Sequence, residues 1–218
     1  MERRRELAIG IAGALATALF ARRWFLRWGA EAEEVELPLP GDDVIVNADL
    51  LATRAVTIDA APRDVWPWIA QLGQGRGGLY SYDRLENLFG CDIHSADEIV
   101  PAFQQIAVGD EVRLHPAVAL RIVSVEPGRS LVLRGGTLGD GAPYEFTWAF
   151  VLLVELEGTT RLLVRERYGY RHRWTPLLVE PLSVVSFLMT QRMLRGIRDR
   201  ARRSGVAVSR EEAGDSAG

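Results

Sequence analysis

The sequence contains no lysine: all 26 of its basic residues are arginine. That absence removes lysine nucleophiles, Schiff-base chemistry and a phosphate-loop lysine together. Cysteine is almost missing too, and Cys91 alone can neither close an internal disulfide nor build a thiolate metal cluster. The three histidines, His94, His115 and His172, show no HxH or HExxH spacing, so no metal is expected and no cofactor is implied. With 218 residues and 48% hydrophobic content, the chain fits one domain plus extensions, which excludes collagen-like and mostly disordered readings.

What is present is strongly ordered along the chain. The net charge of −3 averages a basic start (+4 over 1–30), an acidic stretch (−7 over 31–50), a mildly acidic middle (−4 over 51–170), a basic block (+6 over 171–203) and an acidic tail (−2). Because the stretch between the basic ends is acidic, a nucleic-acid partner is not expected.

An uncharged run, Leu7 to Ala21, follows the basic start. At 1.5 Å per residue it measures about 22 Å, short of a hydrocarbon core of about 30 Å. Extended past Arg22 and Arg23, whose long side chains can snorkel, to Trp24, Phe25 and Trp28, it reaches about 33 Å. Tryptophan beside arginine at the end of an apolar run suits a membrane–water interface. The segment therefore reads as a single-pass membrane anchor over about 7–28. A cleaved signal with ALA at 14–16, or a helix lying on a surface, are the alternatives. Three arginines precede the run and three follow it, so orientation is not readable.

Residues 31–50 read as an acidic linker punctuated by Pro38, Pro40 and Gly41, residues 51–203 as a folded domain, and 204–218 as a disordered tail. Within the domain, ATRAVTID (52–59) alternates as a strand, and Pro62 opens a helix carrying Val65, Trp66, Trp68 and Ile69, with Pro67 inside it. After GQGRGG (73–78), the spacing predicts a second helix over 81–89. Ser81 is its N-cap, Leu85, Leu88 and Phe89 its apolar stripe, and Asp83 and Glu86 its solvated first-turn acids. Strands are predicted at 108–114, 118–126, 130–136, 144–157 and 160–170. Their tight turns call for an antiparallel meander. A last helix is predicted from about Pro181 to Arg203, apolar at Leu182, Val185, Met189, Met193 and Ile197 and arginine-rich towards its end.

The stretch ATRAVTIDAAPRDVWPWIAQLGQGRGGLYSYDRLENLFGCDIHSADEIVP, continuing to VGDEVRL, resembles the START-like, polyketide cyclase/dehydrase-like SRPBCC superfamily. Within it the chain looks like a bacterial subfamily with an N-terminal hydrophobic segment. The likeness spans about 50–203 and is most specific over 56–115. It implies an α+β helix-grip fold, with a curved antiparallel sheet wrapped around a long C-terminal helix to enclose an apolar ligand cavity. It does not imply one chemistry, since carriers, receptors and cyclases share the fold.

Against that frame, GQGRGG satisfies G-x-G-x-x-G but follows a helix rather than a strand, so it reads as a turn and not a dinucleotide site. His94, near Asp92, Asp97 and Glu98, is a candidate acid or base, as are Tyr80 and Asp83, although Ser95 to Glu98 also fits a helix-capping box. Trp66, Tyr80, Tyr82, Arg84, Trp148 and Met189 are the candidate ligand-binding residues. No catalytic constellation is legible. The expected partners are a small hydrophobic ligand (lipid, sterol-like or polyketide-like) and membrane lipids. A cyclase or dehydratase working by proton transfer in the same cavity is the alternative. The arginines ending the last helix, Arg198, Arg200, Arg202 and Arg203, could also meet anionic headgroups.

Overall fold

In the computed structural model, which describes residues 2–88, 90–135, 142–155 and 158–215, six antiparallel strands form one curved sheet gripping a long C-terminal helix. The strands are β1 (Leu50–Ile58), β2 (Glu111–His115), β3 (Val118–Glu126), β4 (Ser130–Gly135), β5 (Tyr144–Val154) and β6 (Thr160–Tyr170). Their order is β1-β6-β5-β4-β3-β2, so β2 to β6 form the expected meander and β1 adds beside β6. The ends predicted at Gly136 and at Leu156–Glu157 lie outside the described residues.

The helices are α1 (Glu2–Leu26), α2 (Ala32–Glu36), α3 (Pro62–Ala70), α4 (Asp83–Leu88) and α5 (Thr175–Asp215). Pro62 opens α3 at its first turn, where the missing N–H has no partner to lose. The terminal helix is longer than the sequence pattern indicates. It begins at Thr175, runs through Pro181 and continues to Asp215 into the segment read as a tail.

Alternation on the strands decides where the core sits. Val56, Ile58, Trp148, Phe150, Leu162 and Val164 point to the concave face, where they pack with Val65, Trp68 and Ile69 of α3 and with Met193, Leu194, Ile197 and Ala201 of α5. Gly196 lets α5 approach closely: a Cβ there would lie 2.5 Å from the Tyr80 carbonyl oxygen. The glycine-rich turn is closed on itself by a Gly73–Gly78 bridge, with Gly73 at φ 128° and Gly78 at φ 77°, a backbone that glycine adopts without strain.

The acidic segment between α1 and β1 is not a free linker. It lies against the convex face of β6, where the alternation of TRLLVRERYGY presents a row of arginines. Arg161 pairs with Glu34 (2.7 Å) and Arg167 with Asp42 (3.0 Å). Arg165, buried between them, binds Asp42 (2.6 Å) and donates to the carbonyls of Leu37, Glu34 and Val35 and to the Thr53 hydroxyl. Two of the seven acids of 31–50, Glu34 and Asp42, thus pair with the arginine row.

Helix α1 joins this body at its C-terminal end. Arg22 makes a bidentate pair with Glu180 of α5 (2.6 and 2.9 Å), Trp24 and Phe25 pack on Phe187, and the Ala55 N–H donates to the Trp28 carbonyl (3.1 Å). Among the described residues, two helices are long and apolar enough to cross a membrane, α1 over Ile9–Leu26 and α5 over Thr175–Ser204. Only 6% of the first window is buried against 33% of the second, so α5 is partly committed to the domain and the apolar surface of α1 is almost wholly uncovered.

Candidate functional site

Between α5, the concave sheet face, α4 and the β2–β3 turn lies a cavity of about 550 Å³. Its walls are mostly apolar and aromatic: Leu79, Leu120, Phe146, Trp148, Leu182 and Met193 are representative. It meets the surface where Ala117 and Val118 of the turn and Val185 of α5, all exposed, contribute to the lining. A site of this size and character accommodates a small hydrophobic molecule.

Two carboxylates interrupt the apolar walls, and their surroundings differ. Glu166 of β6 is fully engaged. The Arg54 guanidinium lies 2.7 Å from Oε1, Ser186 donates to both oxygens (2.7 and 2.8 Å), and Thr190 donates at 3.1 Å. Arg54 also donates through Nε to the Phe25 carbonyl in the last turn of α1, a favourable place for a cation. A buried ion pair with its remaining lone pairs satisfied is a structural device of high cost to break. Near it, the Tyr168 hydroxyl is held well above its ordinary range, first by burial and then by the Glu166 charge, so it stays protonated.

Glu86 of α4 is the opposite case. The residue is 2% exposed, lines the cavity, and neither of its oxygens receives a hydrogen bond. The adjacent Ser81 hydroxyl donates instead to the Met189 carbonyl (3.2 Å). Burial above all, with a smaller contribution from the Asp83 charge, pushes the Glu86 carboxyl up to about 7, and Ser81 offsets this only in part. Glu86 is therefore a carboxylic acid poised to give or take a proton near neutrality. Cys91, also in the lining, is raised by burial and then by Glu86, which keeps it a thiol and a poor nucleophile.

The placement of Glu86 corrects the sequence reading of α4, which is turned inside out. Leu85 and Leu88 are exposed (46% and 78%) and the supposedly solvated acid is inside; Phe89 lies outside the described residues. The cause is the loop that follows. Asp83 accepts hydrogen bonds from the Ser95 N–H and hydroxyl (both 2.7 Å), and Asn87 pairs with both backbone groups of Ile93 (2.6 and 2.8 Å). The polar i, i+4 pair thus faces the loop, and Glu86 is rotated to the cavity. Ser95 is spent on Asp83 and on the Tyr80 N–H, so the capping-box reading fails and no helix forms there.

Of the candidate ligand-binding residues, Trp148 and Met189 line the cavity. Tyr82 and Arg84 are exposed, and Trp66 lines a separate recess with Gln104 and Ile106. Tyr80 is buried edge-on against Trp68 beneath Arg200, outside the lining, and burial raises its hydroxyl to about 12. Of the candidate acids and bases, Asp83 is consumed as a loop clamp. The His94 side chain is 82% exposed, 3.3 Å from an exposed Asp92. His115 accepts from the Ala117 N–H and His172 stacks on Trp174. None of Tyr80, Asp83 and His94 is in the cavity lining, although Ser81, Glu86 and Cys91 of the same segment are: Tyr80 is buried in the core, Asp83 is turned to Ser95 and His94 points to solvent. Among the described residues, no group of three His, Cys, Asp or Glu could hold a metal ion. Arg200 pairs with Asp97 (3.0 Å) and the half-exposed Arg202 with Asp59 (3.2 Å), both acids lying at the surface.

No family model matches the chain and no curated protein matches it. Solved structures are similar in fold. Norcoclaurine synthase from Thalictrum flavum is 13% identical, with a TM-score of 0.46 over 71% of this chain and 94% of that one. The Zhui aromatase/cyclase from Streptomyces sp. R1128 is 15% identical, with a TM-score of 0.46 over 71% and 94%. A Mesorhizobium loti protein is 15% identical, with a TM-score of 0.41 over 70% and 98%. The helix-grip class follows from this chain's own strand order and from the placement of α5.

Proposed function

We propose that the protein binds a small hydrophobic ligand, lipid-like, sterol-like or polyketide-like, in the cavity between α5 and the sheet while α1 holds it at a membrane. The observation that carries this reading is the cavity itself: about 550 Å³, apolar in its walls and open beside exposed apolar side chains. Val185 belongs to both the lining and an exposed stripe on α5 that includes Leu178, Val184 and Leu188. Exposed Leu85 and Leu88 of α4 add to the uncovered apolar surface, and a patch of that kind marks a contact with a membrane or a partner. Helix α1, docked on α5, supports membrane attachment through its exposed Ile11, Leu15, Leu19 and Phe20.

Native mass spectrometry of the full chain released from nanodiscs tests this. A co-purified or lipid-extract-derived small molecule is expected. Protein that stays ligand-free after exposure to a broad lipid extract overturns the proposal. Proton-transfer catalysis in the same cavity is a second reading, favoured by Glu86. It predicts that Glu86→Gln abolishes turnover of a bound substrate without abolishing its binding.

A further inference from the structure

The cavity holds several polar side chains, and nearly all are already engaged. Ser81 donates to the Met189 carbonyl, Ser186 and Thr190 donate to Glu166, and Glu166 is further bound by Arg54. Among the lining groups wholly buried from solvent, two are left without partners. The Glu86 carboxyl has both oxygens unpartnered, and the Trp148 indole Nε1–H, on a residue 7% exposed, has no acceptor. They come from different elements, α4 and β5, and both line the cavity. Buried polar groups without partners are costly; Arg54, Trp68, Arg76, Tyr80, Arg134 and Tyr170 also bury one, but Glu86 and Trp148 alone of these line the cavity, where a ligand can complete them.

We propose that Glu86 and Trp148 recognise the oxygen of a neutral, flat, ring-containing hydrophobic molecule that carries a ketone or hydroxyl group. This rests on the ligand-binding reading above and narrows its substrate class. Trp148 can only donate, so it requires an acceptor atom on the ligand, which a hydrocarbon tail does not offer. An anionic headgroup is disfavoured because the lining contains no arginine or histidine and includes two acids. A ketone or hydroxyl oxygen satisfies the indole N–H and can also pair with the Glu86 carboxyl. The shape preference comes from the aromatic wall: the Tyr168 ring lies 5.6 Å from that of Tyr144 and 4.7 Å from that of Phe146, and Trp148 lines the same space.

The test uses the full-length protein in nanodiscs, with empty discs as the partition control and four probes on one ring system: 2-acetylanthracene, 2-ethylanthracene, anthracene-2-carboxylate and 2-(aminomethyl)anthracene. Quenching of tryptophan emission reports binding. The ketone is expected to bind about tenfold more tightly than the hydrocarbon and the carboxylate. Glu86→Gln keeps that preference, Glu86→Leu collapses it to about twofold, and Trp148→Phe weakens ketone binding several-fold while sparing the hydrocarbon. If Glu86→Leu does not fold, Trp148→Phe decides alone. An unchanged preference in the variants, or tightest binding of the carboxylate or the amine, overturns the inference and leaves the cavity reading standing. Failure of the wild-type protein to bind any probe overturns the inference, and the ligand-binding reading is then decided by native mass spectrometry after exposure to the lipid extract.

Discussion

The two faces of the same sheet treat charge in opposite ways. On the convex face, Arg161, Arg165 and Arg167 are matched by Glu34, Asp42 and a set of backbone carbonyls. On the concave face, Glu166 is held by Arg54, Ser186 and Thr190, although Arg54 Nη2 has no acceptor, and in the same cavity Glu86 of α4 is buried with nothing bound to it. Satisfied polar groups hold the fold together, and among the buried polar atoms left without partners those of Glu86 and Trp148 line the cavity, where a ligand can reach them.

The comparison can be broken at each point. Removing one member of the concave pair by Arg54→Leu strands Glu166 in the core. A loss of about 3–5 kcal/mol is expected in urea unfolding, whereas the double variant Arg54→Leu/Glu166→Leu should lose less than the two single changes combined. On the convex face, Arg165→Leu removes the centre of the arginine row. The expected cost is about 3 kcal/mol, and residues 31–49 should become newly sensitive to limited proteolysis while cavity binding persists.

Glu86 sharpens the contrast through pH. Its carboxyl is raised from an ordinary value of 4.5 to about 7 in the folded protein, so the folded state holds the proton more tightly than the unfolded chain. That contribution is complete below about pH 4.5 and is lost as pH rises through 7, an effect on the order of 3 kcal/mol. Equilibrium unfolding between pH 5 and 8 should show this decline in the wild type and a flatter profile in Glu86→Gln. An unchanged slope in the variant would mean that another group titrates. The smallest effect belongs to the α1–α5 junction. Arg22→Gln removes a pair whose two side chains are each more than a third exposed, and should cost at most about 1 kcal/mol, less at high salt.

Much of the architecture was legible in the chain. Alternation placed β1, turn signals delimited the other five strands, Pro62 placed the start of α3, and helical spacing found α5, although its ends lie further out at Thr175 and Asp215. The site was less legible. Trp148 and Met189 could be picked as wall residues because large apolar side chains at core periodicity face inward. Glu86 could not, because first-turn acids are ordinarily solvated. What buried it was the clamp of Asp83 on Ser95 and of Asn87 on Ile93, contacts between residues 6 to 12 positions apart that no local period encodes. An acid flanked by Leu85 and Leu88 in so short a helix was the available signal, and it pointed either way.

By itself the sequence determined the absence of lysine chemistry, the meander, the apolar N-terminal helix and the division of charge into blocks, since each depends on residue type or short-range spacing. The tertiary structure alone decided that the acidic block binds the arginine row of β6, that His94, Tyr80 and Asp83 stay outside the cavity, and that Glu86 stands in it without a partner. Those outcomes depend on which face of a short element turns inward, and that is set by packing and by long-range hydrogen bonds rather than by the order of residues.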